Sequence, residues 1–164
     1  MRHQALALLV LGTSLNAGPV AGQVSAGVHG DWGSDMDFGV GARAVLGLER
    51  LVPNLETVGS FDYFFPGDDF GADVTYWELN LNLVYRFEIK DSPVKPYAGA
   101  GLNFAYLNAS VDVLGTTASG DETRGGLNLL GGLLFDIGRA KPFVEGRVEA
   151  GGGDQFVVSA GVRF

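Results

Sequence analysis

Ser25, His29 and Asp31 are the residue types of a nucleophile, a general base and an orienting acid, and they fall within seven consecutive positions. On an extended chain they share one side. Ser25 and His29 are then about 13 Å apart, beyond the reach of proton transfer. Ser159 could approach His29 from a neighbouring strand, though nothing in its surroundings marks it as a nucleophile. His29 is therefore expected to be an interior residue hydrogen-bonded to a carboxylate. Glu145-x-Arg147-x-Glu149 offers two carboxylates flanking a cation. Their separation is again about 13 Å, wider than a glycosidase pair, so an ion ladder is the better reading. "GVGARA", Gly39 to Ala44, matches a loose dinucleotide fingerprint, but no helical pattern follows it and it is excluded. Acidic positions Asp31, Asp35, Asp37, Asp68, Asp69, Asp73, Asp121, Glu122 and Asp154 could attract Ca²⁺ or Mg²⁺. None has regular ligand spacing, and solvated loops are expected. No catalytic, cofactor or metal site is expected.

The elements that carry these residues are strands. In "TYWELNLNLVYRFEI", Thr75 to Ile89, one alternate set is Thr75, Trp77, Leu79, Leu81, Leu83, Tyr85, Phe87 and Ile89. The other is Tyr76, Glu78, Asn80, Asn82, Val84, Arg86 and Glu88. A period of two gives a strand with one apolar and one polar face. Eight such segments recur, at about 23–32, 37–48, 55–65, 74–89, 95–108, 122–137, 141–151 and 154–164, separated by Gly, Pro, Asp and Asn. Glycine, at 26 of 164 residues, is well above the usual share of about 7% and dilutes helix formers. Eight antiparallel strands leave two exposed edges unless they close, so an eight-stranded up-and-down barrel is expected. A net charge of −8 argues against nucleic acid as partner, and the absence of cysteine removes disulfides and thiolate metal sites.

Residues 1–22 read as a cleaved secretory signal: Arg2, an apolar run from Ala5 to Leu11, then small residues with Val20 and Gly22 before the cut. The barrel domain is then 23–164. After Gln23 no apolar run reaches the roughly 18 residues of a membrane-spanning helix.

The apolar set can fill a soluble barrel or face lipid around a narrow polar bore. The polar set carries most strand glycines beside long charged chains, which suits a tight interior where each long chain lies across a neighbour that has none. With the first strand running upward, Trp32, Phe38, Phe65, Trp77, Tyr106 and Phe156 reach the upper strand ends. Tyr85, Phe87, Phe135 and Phe164 reach the lower ends. Two aromatic bands are what bilayer interfaces select. The fold class expected is a transmembrane barrel. Its interior network is expected to comprise His29, Asp31, Arg43, Glu56, Asp62, Glu78, Arg86, Arg124, Asp136, Glu145, Arg147, Glu149 and Arg163. Confined charges must pair, and eight strands leave no open channel, so these residues are expected to plug the bore.

"QFVVSAGVRF" alternates down to Phe164 and resembles the last strand of bacterial outer-membrane barrels. Residues 23–164 are similar to the small eight-stranded group that includes outer-membrane proteins A, X and W. The resemblance implies that Phe156, Val158, Ala160, Val162 and Phe164 form the signal read by the barrel assembly machinery. Tyr is common at the third-last position, where this chain has Val162. It also implies an outer-membrane location, lipid and lipopolysaccharide as partners, a structural or interaction role, and longer external loops, here 66–73 and 109–121. Two alternatives remain. "GDW", Gly30 to Trp32, resembles the lipocalin G-x-W and supports a soluble carrier of an apolar ligand. A lipid-modifying enzyme on the same barrel is the other.

Overall fold

The computed structural model of the chain describes residues 23–67, 72–113 and 116–164. The expected signal peptide at 1–22 and the acidic residues Asp68 and Asp69 lie outside these. Eight strands follow in order: β1 Val24–Gly33, β2 Asp37–Gly47, β3 Leu55–Phe65, β4 Ala72–Arg86, β5 Val94–Val113, β6 Thr116–Phe135, β7 Lys141–Ala150 and β8 Phe156–Arg163. Each pairs antiparallel with its sequence neighbours, and β1 pairs with β8 to close the barrel. The seam runs from Gly27↔Arg163 to Gly33↔Val157. It is fastened at its ends by Ser34 N donating to Phe156 O at 2.9 Å and Phe164 N donating to Ala26 O at 2.7 Å. Closure pairs every strand on both sides within the barrel wall, which is why short alternating strands suffice.

Turns follow the local chemistry. Asn54, Asp91 and Asp154 adopt φ of 64°, 57° and 50°, a left-handed conformation that Asn and Asp tolerate best among residues with a Cβ. Asp154 also accepts a 2.6 Å bond from Gly151 N, which closes the β7–β8 turn.

One expected loop is instead strand. Residues 109–113 and 116–121 continue β5 and β6 as a paired ribbon, with Ala109↔Gly120, Ser110↔Ser119 and Val113↔Thr116 in register. Val111, Val113, Thr116 and Thr117 are β-branched and favour pairing over an open loop.

The alternation faces the way a lipid environment requires. On β4, Leu79, Leu81 and Leu83 are 47%, 53% and 49% exposed on the outside, whereas Glu78 beside them is fully buried and Asn80 and Asn82 point inward with it. A soluble barrel would show the reverse. The aromatic residues form rows across strands. Register sets Trp32 beside Phe38 and Phe38 beside Phe65, with the last two rings 6.3 Å apart. Trp77 stacks on Tyr106 at 5.2 Å. At the opposite end Tyr85 meets Phe87 edge-on at 5.2 Å, and Phe135 is half-buried opposite Val94.

Candidate functional site

The barrel interior is where the chain gathers ionisable groups away from water. It is filled in layers.

The upper layer centres on Arg147 of β7, which is 1% exposed. Its Nε donates to Glu149 Oε1 at 2.6 Å, and Nη2 donates to Asp62 Oδ2 at 3.1 Å and Glu78 Oε2 at 3.2 Å. Around this fork, Gln155 Nε2 donates to Glu78 Oε1 at 2.8 Å, the Tyr76 hydroxyl donates to the same oxygen, and Asn80 Nδ2 donates to Asp62 Oδ2 at 2.8 Å. His29 Nε2 lies 2.8 Å from Asp62 Oδ1. An ionised carboxylate only accepts, so Nε2 carries the proton. Asp31 holds Ser159 across the seam and places Oδ2 3.5 Å from His29 Nε2. Gly41 makes room for the pair: a Cβ there would collide with His29 Nε2 and Asp62 Oδ1.

Below this comes a belt of asparagines. Asn128 Nδ2 donates to Asn80 Oδ1 at 2.7 Å and to Asn82 Oδ1 at 3.0 Å, and Asn103 Nδ2 donates to Asn80 Oδ1 at 3.0 Å.

The lower half mixes an apolar cluster with arginine forks. Val45, Val58, Val84, Tyr97, Leu130, Leu134 and Phe143 pack together inside the barrel. Arg43 grips Glu145 with two bonds of 3.2 and 3.3 Å while its guanidinium lies 3.9 Å above the Phe143 ring. The Tyr97 hydroxyl donates to Glu145 Oε2 at 2.8 Å. Gly132 admits the Tyr97 ring, which a Cβ would strike. At the lower mouth Arg163 holds Glu56 at 2.8 and 2.9 Å, with Arg86 Nε 3.4 Å from the same carboxylate.

The structure thus places His29, Asp31, Asp62, Glu78, Arg147 and Glu149 together above, and Arg43, Glu56, Arg86, Glu145 and Arg163 together below. Two expected members stand elsewhere. Arg124 is 54% exposed by its side chain and pairs with Glu122 at 2.8 Å on the upper part of β6, beyond the filled layers. Asp136 follows the end of β6 and pairs with Lys141 at 3.0 Å at the lower β6–β7 turn. Of the terminal-strand positions, Phe156, Val158, Ala160 and Phe164 are exposed and Val162 is half-buried. The asparagine belt, Gln155 and the apolar cluster were not among the expected site residues. Their signal was parity alone: Asn80, Asn82 and Val84 alternate in step with Glu78.

The hydrolase arrangement does not assemble. Ser25 is held by Arg163 Nε at 2.6 Å, far from His29 in register, and Ser159 bonds Asp31. The order Ser–Asp–His puts the acid between the hydroxyl and the imidazole, so His29 does not contact the Ser159 hydroxyl as a triad requires.

No protein-family model matches this sequence, and no curated protein matches it. Solved structures do. Neisserial surface protein A is 22% identical, with 85% of this chain and 94% of that one covered and a TM-score of 0.62. The N-terminal β-barrel domain of Pseudomonas aeruginosa OprF is 19% identical, covering 88% and 98%, also at 0.62. A major outer membrane protein from Thermus thermophilus is 13% identical, covering 87% and 99%, at 0.61. The fold is that of small eight-stranded outer-membrane barrels.

Proposed function

We propose that this chain is an integral outer-membrane protein that spans the bilayer as a filled barrel and serves a structural or interaction role at the cell envelope. The observation that carries this reading is the inversion on β4, with three leucines about half exposed outward and Glu78 fully buried beside them. In water such a surface is a liability; against acyl chains it is the required one. The bore is crossed by the Arg147 fork, the asparagine belt, the apolar cluster and the Arg43–Glu145 pair, so its work is not conduction. His29 fits this reading as a wall residue, since it hydrogen-bonds the Asp62 carboxylate while the Ser159 hydroxyl bonds Asp31.

Export by the 1–22 signal and insertion by the assembly machinery through the β8 pattern belong to the same reading, as do lipid and lipopolysaccharide as the molecules at the outer surface. The β5–β6 ribbon extends past the aromatic row at Tyr106, and it is the surface through which an external contact would be made. Expression in a Gram-negative host tests the proposal. The protein should sediment with outer membranes, migrate differently on gels before and after boiling, and give no steady conductance in planar bilayers. Recovery in the periplasmic fraction without detergent would replace this reading with the soluble carrier. Alteration of lipid A by the intact protein, abolished in His29→Ala, would replace it with the enzyme.

A further inference from the structure

We propose that His29, Asp31 and Asp62 form a binding site for one divalent transition-metal ion of the Zn²⁺ type inside the upper half of the barrel. His29 Nε2, Asp31 and Asp62 each offer one ligand atom, and the three atoms lie within 4.8 Å of one another. All three side chains are fully enclosed.

Proximity of acids to a histidine is not enough, and a separate feature points to a ligand. Asp31 Oδ2 accepts no hydrogen bond although its residue is only 2% exposed, and it faces His29 Nε2. Leaving one oxygen of a buried carboxylate unsatisfied is costly, and a cation between the two aspartates would satisfy it. The oxygens that turn away from the cluster are already held. Ser159 binds Asp31 Oδ1, while Ser60, Asn80 and Arg147 bind Asp62 Oδ2 at 3.1, 2.8 and 3.1 Å. This is the outer support that fixes ligand direction in metal sites.

Charge favours the same occupant. Four carboxylates, Asp31, Asp62, Glu78 and Glu149, share the layer with one guanidinium, Arg147. A doubly charged ion offsets most of that excess. One imidazole nitrogen with two carboxylate oxygens suits a borderline ion more than Ca²⁺ or Mg²⁺, which take six or more oxygens. At bond lengths of about 2.0–2.2 Å, tetrahedral ligands stand about 3.3–3.6 Å apart. The His29–Asp31 separation of 3.5 Å already meets this, and the His29–Asp62 contact of 2.8 Å opens as the Nε2 proton gives way to the ion. That proton then resides on Nδ1, which makes no other hydrogen bond. Gly41 is the wall position whose lack of a side chain lets His29 Nε2 and Asp62 Oδ1 come together there.

The test is ion content of the purified chain, stripped with chelator in urea, refolded in detergent with Co²⁺ or Zn²⁺ and dialysed. Elemental analysis should find about one ion per barrel, and Co²⁺ should show the visible ligand-field absorption of a low-coordinate nitrogen–oxygen site. D31N and H29Q should lose the ion, and S159A should weaken its binding about tenfold or more while leaving all three ligands in place. D154N, which alters an exposed loop acid, should retain it. A folded wild-type barrel that holds no ion overturns the proposal, as does equal retention by D31N and H29Q. Folding of each variant is read from unboiled gel mobility. Should neither ligand variant fold, the wild-type ion count and Co²⁺ spectrum decide alone.

Discussion

Replacing Arg147 with methionine keeps much of the side-chain volume and removes the one cation that three carboxylates share. In the folded barrel Asp62, Glu78 and Glu149 would each lose a charge-assisted hydrogen bond, of 3.1, 3.2 and 2.6 Å. Bonds of this kind are worth about 1.5–3 kcal/mol apiece, which summed would give roughly 4.5–9 kcal/mol. The sum is an upper bound, because Gln155, Tyr76 and Asn80 keep their own bonds to two of the acids and the three losses are coupled. Removing one partner of a buried ion pair costs about 3–5 kcal/mol, and Arg147→Met should fall in that range. Urea unfolding in detergent micelles, followed by the fluorescence of Trp32 and Trp77, measures it. Adding Glu78→Gln and Glu149→Gln to the same chain should recover at least half of the loss, since the acids left stranded are then neutral. A loss below about 1 kcal/mol for Arg147→Met would refute the reasoning, as would a triple variant no more stable than the single one.

Arg124→Met, by contrast, should leave the unfolding midpoint unchanged, because its pair with Glu122 is open to solvent. Leu81→Arg places a charge on the outer face of β4 and should destabilise the barrel in lipid vesicles by about 2–4 kcal/mol; a variant as stable as the parent would contradict the outward orientation. Gly132→Ala drives a methyl group into the Tyr97 ring and the Val144 carbonyl, and should cost about 1–3 kcal/mol by the same urea measurement. In the β4–β5 turn, the hydrogen bond from Lys95 holds the Glu88 carboxyl below the usual glutamate range. A lowered folded-state pKa gives stability that is present above the unfolded value and lost as pH falls through the folded one. Carboxyl chemical shifts should therefore show Glu88 titrating low, and Lys95→Met should return it upward.

The strand plan was legible because parity survives almost everywhere. The same two-residue rhythm that set Leu79, Leu81 and Leu83 against Glu78, Asn80 and Asn82 also set which face would meet lipid. The site was legible in part, for a related reason. Parity says which side chains enter the bore but not at what height, so Arg124 shares the inward phase yet stands above the filled layers, opposite Ala105. Asp136 misled differently, by sitting one residue beyond the strand end where alternation no longer orients it. The meeting of His29 with Asp62, 33 residues apart, depends on register between β1, β2 and β3 and on the gap at Gly41, and no local pattern encodes that. In the β5–β6 ribbon the polar residues and glycine suggest a loop, whereas the β-branched residues pair it as strand.

The chain has no cysteine, so a single Leu81→Cys variant can carry an environment-sensitive fluorophore at one outward position of β4. In lipid vesicles that label should emit as in an apolar medium, be strongly quenched when the lipids are brominated along the acyl chain, and, with unbrominated lipids, stay bright when iodide is added to the aqueous phase. Quenching by iodide with indifference to the brominated lipid would contradict the account, because those leucines would then face water.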